Sequence, residues 1–389
     1  MMPYEHPRNP WKSQYPATAL DLVSAGQKSL YSAMLAHAAF NVAHLRGVDV
    51  EMLALGSKHY GHAIQELLKT IAREDVDFPG SMASMMTLMF AELYSGPFGS
   101  WRHHFEGAWT WLKRHCSSEP WKSTDLVCIS LQSLNIIKII GDTSKSRLVP
   151  PPREAPEATE SAVVAPILST SEFGFTIGAP RDILDCIARI TDFRNKPDAE
   201  RLEDEVNELL QDVLTRLNVH RGPEDVHHIP NTQSHASHSE DHSAVLEASS
   251  CQKSPLEAPN QVGAFVNATY IYLYRSLLRV PPMTVRSYVK KTFSHVSAYF
   301  AISNGNFSIW PAFIAAVEAY LDEDLAAAKE WLDGATSFGI GSRDSMRRVV
   351  EEVWNLREEM CKASGMEMGL IVVDWRSVMQ ELDCDLLLV

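Results

Sequence analysis

Histidine is the residue type in this chain whose clustering first suggests chemistry. His220, His227, His228, His235, His238 and His242 fall in one stretch, and His235-x2-His238-x3-His242 has a spacing that a divalent metal accepts. A metal site also needs ligands held in fixed geometry by an outer layer of hydrogen bonds. The surrounding Ser-, Asn- and Pro-rich composition supplies neither, so the stretch reads as a solvated linker with at most weak zinc or nickel affinity. His59 and His62 are three apart on a helical pattern and so face one side, where both could meet one ligand. No acidic third ligand and no H-E-x-x-H pattern accompany them. His103 and His104 are adjacent and point to different sides of a helix, which weakens a paired role.

Other chemistries find less support. Phe338-Gly339-Ile340-Gly341-Ser342 resembles the start of a phosphate-binding glycine loop, yet it lacks the third glycine and follows a helical pattern instead of a strand. A helix-to-helix turn with Ser342 as N-cap is the expectation. No G-x-S-x-G, Walker loop or catalytic Cys/His signature occurs. The six cysteines, Cys116, Cys128, Cys186, Cys251, Cys361 and Cys384, are widely scattered, with neither a zinc spacing nor a disulfide framework. They read as reduced thiols. No metal, no cofactor and no enzymatic activity are expected.

Charge narrows the partners. The 389 residues carry a formal charge of −14 and contain no Lys/Arg run, whereas nucleic-acid affinity comes largely from phosphate neutralisation. Direct DNA binding by this chain is therefore disfavoured. The segment MMPYEHPRNPWK has no apolar signal core, and the longest apolar run, WPAFIAAVEAYL, is broken by Glu318. The chain reads as soluble and intracellular, with no membrane partner.

The elements that must position these residues are helices. Leu30, Met34, Ala38, Val42 and Leu45 form one apolar stripe at steps of three or four. Tyr60, Ile64, Leu67, Leu68 and Ile71 form another, and Met82, Met85, Met86, Met89, Phe90 and Leu93 a third. Methionine adapts to irregular shapes, so the third stripe suits either core or ligand surface, with core the commoner use. Gly/Pro punctuation between stripes implies antiparallel helix pairs. The sequence divides into an N-terminal helical half at 1–144, a Pro-rich loop at 145–172, central helices at 173–218, a disordered His/Ser-rich linker at 219–258 and a C-terminal helical half at 259–389. Short β-like runs at 173–177 and 370–373 are too few to build a sheet. The expected fold class is all-α, a multi-helix bundle of antiparallel pairs.

Two blocks carry a family resemblance. Asn9-Pro10-Trp11 is followed by the helical segment 30–46, His59-Tyr60-Gly61-His62-Ala63-Ile64, Phe90-Ala91-Glu92-Leu93 and Gly99-Ser100-Trp101-Arg102-His103-His104-Phe105-Glu106-Gly107-Ala108. The second block runs Trp310-Pro311-Ala312-Phe313-Ile314 through Glu318-Ala319, then Trp331-Leu332, Arg347-Arg348-Val349-Val350-Glu351-Glu352-Val353-Trp354 and Asp374-Trp375-Arg376. Their joint order, over nearly the whole chain, resembles the regulatory domain of fungal-specific zinc-cluster transcription factors, in the branch of acriflavine-sensitivity and arginine-metabolism regulators. The resemblance implies an all-helical regulatory domain, a nuclear location and a role in RNA polymerase II transcription.

One departure shapes the expectation. Such factors carry a six-cysteine, two-zinc cluster that reads DNA, and no cysteine here precedes Cys116. The expected protein therefore lacks its own zinc cluster and acts through protein partners, among them a full-length zinc-cluster regulator, or through a small-molecule effector. The alternative is a metabolite-binding or biosynthetic-pathway protein that reuses the helical fold, and a ligand-free scaffold is a third reading. His59, His62, Trp101, His103, Trp310 and Trp331 are the candidates for effector or partner contact, although buried tryptophans also serve as packing anchors.

Overall fold

The methionine stripe settles where the centre of the molecule lies. In the computed structural model, which describes residues 9–12, 14–73, 77–96, 100–145, 157–170, 172–197, 200–220, 257–302 and 308–389, the helix carrying that stripe is buried on nearly every side. Fifteen α-helices are formed among the described residues, with short 3₁₀ turns and no strand. They are α1 (Gln14–Ser24), α2 (Ser29–Leu45), α3 (Val50–Ile71), α4 (Phe78–Ser95), α5 (Trp101–His115), α6 (Asp125–Thr143), α7 (Glu157–Leu168) and α8 (Arg181–Asn195). Then follow α9 (Glu203–Val219), α10 (Glu257–Leu277), α11 (Pro282–Ile302), α12 (Ile309–Ala316), α13 (Asp322–Thr336), α14 (Ser342–Ser364) and α15 (Trp375–Glu381). The fold is all-α.

Local chemistry starts several of these helices. Asp49 accepts hydrogen bonds from the Glu51 and Met52 amides at 3.0 and 3.2 Å, covering two of the four amides that open α3. Asp77 does the same for α4 through the Gly80 amide, with Pro79 in the first turn, where its missing N–H is not needed. Thr124 caps α6 and Asp374 caps α15. At the far end of α14, Gly365 takes φ +69° and returns its amide to the Cys361 carbonyl at 2.9 Å.

Two largely buried helices, α4 and α6, form the axis. Helix α2 packs between α3 and α4, while α5 lies against α4. Helix α6 leads to α8, then α8 to α10, and α10 carries α11 and α12. One continuous apolar core runs from Ala33 in α2 to Leu388, so residues of the segments 1–144 and 259–389 are packed into each other. Helix α6 is long and apolar enough by composition to cross a membrane, but most of its side chains are buried inside the bundle, as expected of a core helix.

Several sequence expectations are corrected. The region 145–172 is not loop throughout: Glu157–Leu168 is helix α7, with Val163 and Ile167, four apart, both buried. Its prolines gave the misleading signal, yet Pro156 precedes the helix and Pro166 falls two residues before its end, where it removes a single amide donor. Ser342 is the first residue of α14 and not its N-cap; Gly341 holds that position without any side-chain bond. As expected, the two β-like runs build no sheet: Phe173–Ile177 is a series of turns that buries Phe173, Phe175 and Ile177, and the run 370–373 begins at the end of the 3₁₀ turn Met368–Leu370. The His/Ser-rich linker expected at 219–258 lies, for 221–256, outside the described residues, as do His227, His228, His235, His238 and His242.

Candidate functional site

The C-terminal end of α6 gathers polar contacts from several segments distant in sequence. A helix C-terminus leaves carbonyls without intrahelical donors and carries partial negative charge, so cationic donors are favoured there. Arg194 of α8 donates to the Thr143 carbonyl at 3.2 Å and to the Lys145 carbonyl at 2.9 Å. Arg376 of α15 donates to the same Thr143 carbonyl through Nε at 2.7 Å. The Thr143 hydroxyl accepts the indole N–H of Trp310, of α12, at 3.1 Å. On the other side of the helix, the Trp101 indole lies over Gly141, where a Cβ would stand 2.7 Å from the ring. Trp101 also donates to the Asp385 carbonyl at 3.1 Å, tying the last residues of the chain to α5. Burial pushes the Asp142 carboxyl up, but Lys138 at 3.0 Å and Lys145 at 2.6 Å outweigh it and leave the group below the usual carboxylate range.

A cavity of about 250 Å³ opens beside this junction. Its lining includes four guanidiniums, Arg194, Arg275, Arg279 and Arg376, against two carboxylates, Glu318 and Asp374. Arg275 pairs with Glu318 at 2.6 Å, and both are nearly inaccessible to solvent. Glu318 also lies 3.8 Å from Arg357 Nη2, which donates to the Val317 carbonyl at 2.8 Å, while Arg357 Nη1 donates to the Ala319 carbonyl at 2.7 Å. Arg376 stands 4.1 Å from the centre of the Trp375 ring and 5.7 Å from that of Tyr272. Its Nη1 reaches Asp374 at 3.4 Å, while its buried Nη2 meets no acceptor among the described residues. The rest of the wall is apolar: Ile271, Ile314, Val317, Val372, Val373 and the Trp375 ring.

The residues singled out by sequence are distributed over the molecule. Trp101 and Trp310 flank the end of α6, both fully buried, and Trp310 stacks on Phe265 with ring centres 5.9 Å apart. Trp331 is buried in α13, and its indole N–H meets no acceptor among the described residues. His59 and His62 share a shallow groove of about 580 Å³ between α2 and α3, where His62 Nδ1 is 3.0 Å from the Ser32 hydroxyl. His103 is exposed on α5. Among the described residues, no three His, Cys, Asp or Glu side chains come together as metal ligands.

The neighbours of those histidines form the tighter arrangement. The Tyr60 hydroxyl lies between the Glu92 carboxylate and His104 Nε2, joining α3, α4 and α5. The other Glu92 oxygen accepts the Ser100 amide at 2.9 Å. Burial raises the Tyr60 phenol above its ordinary value, reinforced by Glu92, so the phenol stays protonated and donates to the carboxylate. Burial lowers His104, against the pull of Glu92, which favours the neutral ring. This is a satisfied, partly buried polar knot that locks three helices. Helical phase was the signal for it: one step along α3 and one along α5 moves from the solvent face to the core face.

The sequence matches the fungal specific transcription factor domain over residues 1–389. The chain belongs to this family. No curated protein and no solved structure matches it. Membership assigns the regulatory domain a role in transcription regulation, and the family is one of transcription-factor domains, not of enzymes. Its two marked blocks now have structural meaning, since Trp101, Trp310 and Arg376 all converge on one helix end.

Proposed function

We propose that this regulatory domain controls RNA polymerase II transcription in the nucleus by joining signal to partner: it responds to a small-molecule effector or docks on a zinc-cluster regulator, and DNA is read by residues other than these 389. The observation that carries this reading is the match to the fungal specific transcription factor domain along the whole chain. The charge of −14 supports the delegation of DNA contact, because phosphate neutralisation would need a basic face. The continuous core supports a single responsive body, since a ligand bound in the cavity lined from α8, α10, α12 and α15 touches helices that share that core.

A specific observation also favours effector binding: the cavity next to α6 combines buried charge with apolar wall, the composition of a small-molecule site. The test is chromatin occupancy of the tagged chain in its native fungus, paired with transcript profiling of a deletion strain. Enrichment at promoters whose transcripts change in the deletion is the expected result. Absence from chromatin together with an unchanged transcript profile would sink the proposal.

A further inference from the structure

We infer that the groove between α2 and α3 is a docking site for an acidic amphipathic helix of a partner protein. The composition of α2 leads there first. Leu30, Ala33, Ala36, Phe40 and Ala43 are buried, as expected of a helix packed against α3 and α4. Tyr31, Leu35, Ala38 and Val42 make a second apolar stripe, yet Tyr31 and Ala38 are exposed and Leu35 and Val42 only half-buried. A helix that is apolar on all sides is normally enclosed on all sides. The steps of four, three and four in this outer stripe are those of a helix–helix seam, whose side chains interlock with a neighbouring helix. At 1.5 Å per residue the open stripe is about 16 Å long, roughly three helical turns.

Charge selects the occupant. The groove is lined from α2 by Lys28, Tyr31 and Leu35 and from α3 by Lys58, His59 and His62, with no carboxylate in its wall, in a chain whose net charge is −14. Among the described residues, neither Lys28 nor Lys58 has a carboxylate within ion-pair distance, and Glu66, one turn beyond His62, is already paired with Lys69 at 2.7 Å. A second copy of this chain would bring the same lysines face to face, and like charges repel. Nucleic acid would use the lysines and leave Tyr31 and Leu35 uncovered. An amphipathic helix with an apolar seam and acidic flanks uses both: its apolar residues cover Tyr31 and Leu35, and its carboxylates reach Lys28 and Lys58. What such docking does to a gene rests on the transcriptional reading above; the docking itself does not.

The test is selection on the purified full chain from a displayed library of helices of about 16 residues, with leucine at heptad-spaced positions and glutamate, glutamine or lysine elsewhere. The helices recovered are expected to be acidic, and a synthetic copy of the best should bind saturably by fluorescence anisotropy. Lys58→Glu should weaken it about three- to tenfold, by reversing a solvent-exposed pair. Tyr31→Ala should weaken it about tenfold, by removing an aromatic anchor. Both residues are exposed, so these variants keep the fold, and Lys362→Glu at the end of α14 should stay within about twofold of the parent. Recovery of no helix, recovery of neutral or basic helices, or binding indifferent to either Lys58→Glu or Tyr31→Ala would each overturn the inference. So would self-association of the chain in sedimentation that Tyr31→Ala abolishes, since a second copy would then fill the groove. A chain that binds acidic helices in this groove but never occupies chromatin would leave this inference standing and remove the transcriptional reading.

Discussion

Replacing Thr143 with valine probes the junction with almost no change of shape. Thr143 is fully buried; its hydroxyl donates to the Ile140 carbonyl at 2.6 Å and accepts from the Trp310 indole at 3.1 Å. Valine keeps the volume, so no cavity term arises. It strands a buried indole N–H, costing about 1–3 kcal/mol, and removes the hydroxyl's own bond, worth about 0.5–1.5 kcal/mol. The extra buried methyl returns about 0.8 kcal/mol. The net expected loss is about 1–4 kcal/mol. Because the apolar core is continuous, urea unfolding followed by far-ultraviolet circular dichroism reports on this site. The partner substitution Trp310→Phe deletes the stranded donor, so in that background Thr143→Val should cost under about 1 kcal/mol. The double-mutant cycle then shows a coupling of about 1–3 kcal/mol. Additivity within about 0.5 kcal/mol would refute the claim that the indole of α12 is tied to the end of α6.

Tyr60→Phe should destabilise by about 1–3 kcal/mol, since Glu92 loses a buried donor, whereas His59→Ala on the neighbouring groove should stay within about 0.5 kcal/mol; the same denaturation assay reads both. Gly141→Ala brings a Cβ within 2.7 Å of the Trp101 ring and should cost about 1–3 kcal/mol, while Gly107→Ala, with nothing within 4 Å, should be neutral or stabilising by up to about 1 kcal/mol. Burial pushes His37, beside the Tyr94 ring at 4.1 Å, down from 6.5 to about 4. The unfolded chain therefore takes up this proton first as pH falls: the contribution is whole above pH 6.5 and fades towards pH 4, by up to about 3 kcal/mol. Stability measured across that range should show the loss, and His37→Leu should flatten it.

The helices were legible because their apolar stripes are long and punctuated; the all-α class follows from Met82–Leu93 and its counterparts alone. Helix α7 was hidden because prolines crowd its entrance and its apolar residues lack a single sided face, so composition outweighed the Val163–Ile167 pair. Trp101 and Trp310 were legible as large side chains in marked motifs, and their meeting at opposite sides of α6 was not, since the two residues and Thr143 are far apart in sequence. Arg376 stood inside the Asp374-Trp375-Arg376 motif, but arginine clustering among positions 194, 275, 279 and 376 exists only after folding. Tyr60, Glu92 and His104 show the finer failure. Each sits beside or within a motif already noticed, and a one-residue error in helical phase moves attention from the buried partner to its solvated neighbour.

The central claim, that this chain is a transcriptional regulatory domain, is most directly tested by fusing residues 1–389 to an unrelated DNA-binding domain and placing its site upstream of a reporter gene in a fungal host. The account predicts that reporter output changes several-fold relative to the DNA-binding domain alone, and that Thr143→Val, which loosens the junction, diminishes the change. A stably expressed, nuclear fusion that leaves the reporter at the level of the DNA-binding domain alone would contradict it.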